Sequence, residues 1–229
     1  MLCKGVMTKI ALYDLDKTIT KRPTYLPFLL HAAWRHERWR LIFLPGLLLL
    51  FAGYVVRVVN RARLKQLMQA MLLGSRVDAE KMENIAESFA TKTLAGNIHV
   101  QALARIAKEK AEGYRLVLAT ASYAFYAAPL ARRLGFDDVI GTLVKRDEDG
   151  AILAKIDGEN CYGEAKFRMV EAWAAEQGLA AEDMDVRFYS DSQTDLPVFD
   201  WSEEPIATNP NAKLRRIADK QGWRIIAWG

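Results

Sequence analysis

Cysteine is nearly absent: Cys3 and Cys161 are the whole complement. Two cysteines so far apart make no disulfide framework and are expected as free thiols in a reducing compartment. Three histidines, His31, His36 and His99, lack the spacing of a metal cluster and read as surface or cap residues. No Ser-His catalytic pair and no Gly-rich phosphate loop occur, which sets aside serine hydrolase and P-loop chemistry. Neither an internal repeat nor a low-complexity linker interrupts the chain. Met1 to Thr8 carry no apolar signal-peptide core, so a cytoplasmic setting is expected. Acid is nearly missing between Lys17 and Arg76, where Glu37 stands alone against eleven Lys/Arg. That segment is +10 and the rest −6, within a whole-chain charge of +4. Such asymmetry calls for an anionic partner: a membrane surface, nucleic acid or a phosphorylated ligand.

What is present is organised around Tyr13-Asp14-Leu15-Asp16-Lys17-Thr18. The apolar run Lys9 to Leu12 before it has strand character, so two carboxylates stand where a strand ends and the chain turns. Ligands of open α/β sheets bind at that place. Alternation along an extended chain points Asp14 and Asp16 the same way, about 7 Å apart. Like charges that close repel unless a cation lies between them or one holds a proton. A divalent metal with oxygen ligands satisfies them.

A mostly helical region is expected from Thr18 to about Ala95. Its centre, Leu41 to Val56, has no charge and contains Pro45-Gly46. As a helix those sixteen residues would span about 24 Å, short of the roughly 30 Å hydrocarbon core, and the Pro-Gly pair is expected to kink or turn them. Arg35, Arg38 and Arg40 precede the run; Arg57, Arg61, Arg63 and Lys65 follow it. Tryptophan and arginine at the edges of an apolar run describe a segment lying in a membrane interface, in the form of a helical hairpin. The same pattern also suits a hairpin buried in the protein or in a dimer contact. Nucleic acid fits less well, because an aliphatic surface offers phosphates nothing.

Beyond it the sequence alternates. An amphipathic helix is expected over Asp78 to Thr93, with Gly96 closing the helical block, and another over Val100 to Glu112, capped by Gly113. The strand Tyr114 to Ala119 ends at Thr120-Ala121-Ser122, hydroxyls that can bind phosphate ahead of an Ala124 to Leu134 helix. Val139 to Lys145 and Ile152 to Ile156 read as a hairpin. Lys166 falls in the first turn of a helix ending at Gln177, where the helix dipole disfavours a cation. The strand Asp185 to Tyr189 leads into Asp191 and Asp195, and Pro205 to Ala207 and Arg224 to Trp228 flank an Ala212 to Gln221 helix. This alternation predicts an α/β fold, a mostly parallel sheet with helices on both faces.

Four distant clusters, each at a strand end or helix start, thus hold four aspartates, a threonine and a lysine, a set that binds a metal and a phosphate. In residues and order they resemble the haloacid dehalogenase superfamily of phosphatases: DxDxT at Asp14, Asp16 and Thr18, then Thr120, Lys166, and an acidic pair at Asp191 and Asp195. The resemblance implies a Rossmann-like core (1–20 and 97–229) with an inserted helical cap (21–96), as in the phosphoserine-phosphatase-like branch. It implies Asp14 as nucleophile, Asp16 as acid and base, and Lys166 and Thr120, with Ala121, on the phosphoryl group. Mg²⁺ would be held by Asp14, the Asp16 backbone carbonyl and Asp191, with Asp195 in support. Lys17 replaces the glycine usual in DxDGT. Phosphoserine phosphatases carry a glutamate soon after the first motif; here Lys21 and Arg22 stand there, and with Ser122 they are candidate substrate contacts for an anionic ligand.

The sequence is also similar to the C-type phosphatidylglycerophosphatases of bacteria, in the Pro-broken run Phe43 to Leu49, Cys-x-Gly-x-x-Lys at Cys161 to Lys166, and Tyr-Ser-Asp-Ser-x-x-Asp-x-Pro at Tyr189 to Pro197. That implies dephosphorylation of phosphatidylglycerophosphate or a similar anionic phospholipid, by a protein peripheral on the inner face of the cytoplasmic membrane. A soluble small-metabolite phosphatase and an inactive membrane-associated adaptor stay open as alternatives. Oligomeric state is also open.

Overall fold

The computed structural model describes residues 7–228; the free-thiol expectation for Cys3 lies outside them. Eight strands form one sheet in the order β2-β5-β4-β3-β1-β6-β7-β8. Its centre is β1 (Thr8–Tyr13), parallel to β3 (Arg115–Tyr123) on one side and β6 (Met184–Ser190) on the other. Outward lie β4 (Asp138–Arg146) beside β3, and β7 (Glu204–Thr208) then β8 (Arg224–Ile226) beside β6, all parallel. The chain leaves β1 toward β3 and returns across it to β6, so the C-terminal ends of these three strands form the switch point of the sheet.

Side chains of β1 alternate as an extended strand requires. Ala11 and Tyr13 join one apolar layer with Ala102 and Ile106 of α5 (Val100–Ala111) and Ala127 and Leu130 of α6 (Ala124–Leu134). Ile10 and Leu12 join the other, with Val170 and Trp173 of α7 (Glu164–Glu176), Val198 and Phe199 of α8 (Leu196–Trp201), and Leu214 and Ala218 of α9 (Ala212–Gln221). A buried carboxylate interrupts the first layer. Glu109 of α5, with no exposed surface, accepts from the hydroxyls of Tyr13 and Tyr189.

A third core belongs to the inserted segment. It is built from α1 (Tyr25–His36), α2 (Leu44–Val55), α3 (Arg61–Leu73) and α4 (Ala79–Gly96), with Phe28, Leu47, Met68, Leu72 and Phe89 packed against Tyr123 and Tyr126. Within it a two-residue strand, β2 (Arg76–Val77), pairs antiparallel with β5 (Ile152–Asp157), which in turn pairs with β4. The segment is therefore helical but for this strand, by which it joins the sheet.

Two local expectations change. Pro45-Gly46 neither turns nor breaks the apolar run: a 3-10 turn, Arg38–Phe43, passes directly into α2, and Pro45 occupies its first turn, where a missing N–H costs nothing. The reversal comes later, at Arg57 (φ 62°) and Asn60, whose side chain caps α3. By length and composition Arg38–Val55 is long and apolar enough to cross a membrane, which the sixteen-residue count had understated. Second, β3 does not stop at Ala119. It continues to Tyr123 with a register shift after Thr120, and the Thr120 Oγ1 accepts from the Ser122 backbone N–H at 3.0 Å.

Candidate active site

The three central strands deliver their ends into one cavity of about 260 Å³. Asp14 comes from β1, Thr120 and Ala121 from the irregular end of β3, and Asp191 and Asp195 from the turn after β6; Lys166 reaches in from the first turn of α7. With Asp16, which also lines it, seven residues expected at the site share one cavity, although their sequence spans Asp14 to Asp195.

Lys166 explains its own placement. Its Nζ donates to Asp14 Oδ1 at 2.8 Å and to Asp195 Oδ2 at 2.7 Å, and Ser190 Oγ donates to the same Asp195 oxygen at 2.7 Å. Burial disfavours the ammonium, but the two carboxylates overcome that and the dipole, so its pKa lies above the usual lysine range. The helix begins at Gly163, whose backbone (φ 61°, ψ −132°) is one that only glycine adopts readily.

Asp14 is 7% exposed. Burial pushes its pKa up to about 7, against the pull of Lys166 and with Asp195 and Asp16 adding to the rise. Burial likewise raises Asp191 to about 6, opposed by Lys17. Asp16 is raised too, by burial, and held back by hydrogen bonds from Thr24. Those bonds, from the Thr24 N–H and hydroxyl to Asp16 Oδ1, are both 2.8 Å. They leave Asp16 Oδ2 free of hydrogen-bond partners among the described residues. Behind Thr24, Ser122 and Tyr126 close a hydroxyl network, with Tyr126 donating to Ser122 Oγ at 2.6 Å.

Four carboxylates and three cations (Lys17, Arg61, Lys166) line the cavity, a net of −1. An entering phosphomonoester dianion would deepen that deficit, which a divalent cation offsets. The donors suit a hard cation: two carboxylates and a backbone carbonyl, all oxygen. Among the described residues no group of three acidic, histidine or cysteine side chains has metal-site spacing, and the Asp16 carboxylate turns to Thr24.

Lys21 and Arg22 do not line this cavity or the one beside it. Both are exposed. Their backbone is pinned to Asn97, through the Lys21 N–H at 2.8 Å and the Arg22 N–H at 3.0 Å, next to a bridge between Thr20 and Ile98. Lys17 lines the cavity instead; its φ of 62° accounts for glycine being usual at that position. Sequence reasoning missed Arg61, Lys65, Thr24, Tyr126 and Tyr162. Arg61 stacks 4.1 Å from the Tyr162 ring. A second cavity of about 400 Å³ adjoins the first, sharing Asp16, Pro23, Arg61 and Ala121, and is mainly apolar, with Leu26, Phe51, Tyr54 and Met68. Ser122 faces this second cavity.

Comparison with known proteins places the site in context. The family model described as haloacid dehalogenase-like hydrolase matches residues 11–200. Protein CicA of Caulobacter vibrioides is 30% identical over 218 residues, covering 93% of this chain and 85% of that protein. Among solved structures, a protein of unknown function from Bordetella pertussis Tohama I superposes with a TM-score of 0.83 at 27% identity, covering 97% and 100% of the two chains. A phosphoserine phosphatase carrying a phospho-aspartyl intermediate analogue has the same fold, with a TM-score of 0.62 at 17% identity over 97% of this chain and 94% of that one.

Proposed function

From the premise that this chain belongs to the haloacid dehalogenase-like hydrolases, we propose that it is a Mg²⁺-dependent phosphomonoesterase. Its substrate in this reading is an anionic phospholipid such as phosphatidylglycerophosphate, met at the inner face of the cytoplasmic membrane. One observation carries the lipid assignment. Helix α2 lines the second cavity with Phe51 and Tyr54, while Leu48 and Leu49 of the same helix are 72% and 77% exposed. A single apolar element thus faces both outward and toward Asp16. Arg38, Arg40, Arg57 and Arg63 flank it, as an interfacial segment on an anionic leaflet requires.

In this mechanism Asp14 attacks phosphorus and displaces the alcohol, forming an aspartyl phosphate. Asp16, whose raised pKa lets it hold a proton, donates it to the leaving oxygen. The same carboxylate then takes a proton from water as water attacks the phosphoryl group and releases Asp14. Thr24 fixes the Asp16 carboxylate through one oxygen, leaving the other for proton transfer. Lys166, locked between Asp14 and Asp195, keeps the nucleophile aimed and, with Thr120 and Ala121, faces the phosphoryl oxygens. Mg²⁺ would be held by Asp14, Asp191 and the Asp16 carbonyl, with Asp195 behind them, and supplies neutralisation of the phosphoryl charge.

A phosphate-release screen tests the assignment. With Mg²⁺ present, phosphatidylglycerophosphate in anionic vesicles is expected to outpace phosphoserine and other soluble monoesters, and the protein is expected to float with the vesicles. Protein left in solution, with a soluble ester turned over fastest, would replace the lipid reading by that of a small-metabolite phosphatase.

A further inference from the structure

Two cations of the inserted segment make no direct ion pair among the described residues, although both feel the charge of Asp16. Lys65 and Arg61 lie one turn apart on α3, and neither is ion-paired among the described residues. Lys65 is 7% exposed. Its ammonium donates to the Ala121 carbonyl at 2.5 Å and to Asn160 Oδ1 at 3.1 Å, and lies 3.9 Å from the Tyr123 ring centroid. Of its three N–H donors, then, one has no acceptor among the described residues. A buried cation whose direct hydrogen-bond partners are all neutral is costly, and an arriving anion relieves that cost.

The placement says where such an anion would come from. Lys65 lines the apolar second cavity, Arg61 lines both cavities, and Ala121 forms part of the wall they share. Asp16, the group that meets the leaving oxygen in the mechanism above, also borders both. The alcohol half of a substrate therefore extends from Asp16 into the second cavity, toward Lys65 and Arg61.

We propose that Lys65 and Arg61 form a subsite for a second anionic group of the substrate, a phosphodiester carried by the same alcohol as the phosphomonoester. The inference rests on the phosphatase reading for its orientation. It adds that the headgroup is recognised by its second phosphate, with the apolar wall of Leu26, Phe51 and Met68 receiving what lies beyond.

The test separates binding from turnover. Asp14→Asn protein with Mg²⁺ is titrated calorimetrically with two soluble ligands: glycerol 3-phosphate, and glycerophosphoglycerol phosphate, which carries both a monoester and a diester. The diester-bearing ligand is expected to bind about 10- to 100-fold tighter, the size of charge-assisted hydrogen bonds. Adding Lys65→Met should bring that ratio close to one. Adding Arg61→Gln, at an exposed side chain that does not challenge the fold, should reduce it several-fold. Equal binding of the two ligands overturns the subsite. So does a ratio that survives both substitutions, or a uniform loss for both ligands with the ratio kept. Phosphate release by the wild-type protein is scored separately: discrimination in binding without release from either compound would sink the phosphatase reading and leave the subsite standing.

Discussion

Replacing Lys65 by methionine should make the protein more stable, and by an amount that depends on pH. Burial pushes the Lys65 pKa from the ordinary 10.5 down to about 7, with Cys161 pulling it back up and Arg61 pushing it further down. The gap corresponds to a cost of at most about 5 kcal/mol for holding the charge inside, at about 1.4 kcal/mol per pH unit. Methionine removes the charge at similar length. It forfeits two hydrogen bonds worth about 1 kcal/mol each, so the net gain is about 3 kcal/mol. One of the two acceptors keeps a donor, because the single Thr142 hydroxyl lies 2.9 Å from the Ala121 carbonyl and 3.1 Å from Asn160 Oδ1 and can donate to either. The sign with pH follows from proton counts. Between pH 7 and 10.5 the unfolded chain keeps the Lys65 proton that the folded chain has lost, so wild-type stability rises with pH across that window. Below pH 7 both states are charged and the full cost applies. Urea unfolding of both proteins from pH 6.5 to 9 measures the difference. The variant should be ahead at pH 6.5, and its lead should shrink by about 1 kcal/mol per pH unit above 7. A variant less stable at pH 6.5, or two parallel pH profiles, would refute the reasoning.

Two further changes probe other parts of the fold. Leu48→Glu with Leu49→Glu removes two exposed apolar side chains of α2, each worth about 1.5 kcal/mol or more when buried in lipid, so vesicle partitioning in a flotation assay should fall about 100-fold or more. Unaltered flotation would remove α2 from the membrane contact. Glu109→Ala leaves the hydroxyls of Tyr13 and Tyr189 without their acceptor and Arg187, 3.5 Å from Glu109, without a buried partner. A loss of about 3–5 kcal/mol is expected in urea unfolding, and a loss under 1 kcal/mol would contradict the role given to that carboxylate.

Much of this architecture can be read from local pattern. The strand-end carboxylates of β1 and β6 follow short apolar runs, and the helices Ala124–Leu134 and Ala212–Gln221 appear with the limits their sequence predicts. In each case, signals only a few residues apart determine the outcome. What escaped depends on contacts between distant segments. Strand β2 has two residues, too few for periodicity, and exists because Arg76 and Val77 meet Leu153 and Ile152. Lys21 and Arg22 sit beside the first motif in sequence but are turned outward by Asn97, 75 residues from Arg22. Arg61 and Lys65, far from every motif, are brought in by the packing of α3. A signal for Lys65 did exist: it lies within the buried stripe of Leu64, Met68, Gln69 and Leu72, and a lysine on such a face has a reason to be there. Glu109, on the face of Ala102 and Ile106 in α5, carried the same signal.

The central claim is that Asp14 attacks the phosphate of a membrane lipid. Phosphate release from phosphatidylglycerophosphate in anionic vesicles, measured with Mg²⁺ for the wild-type and Asp14→Asn proteins, tests it most directly. Loss of the nucleophile should lower the rate by about 10³-fold or more. Equal rates for the two proteins, or no release from the lipid by the wild type, would contradict it.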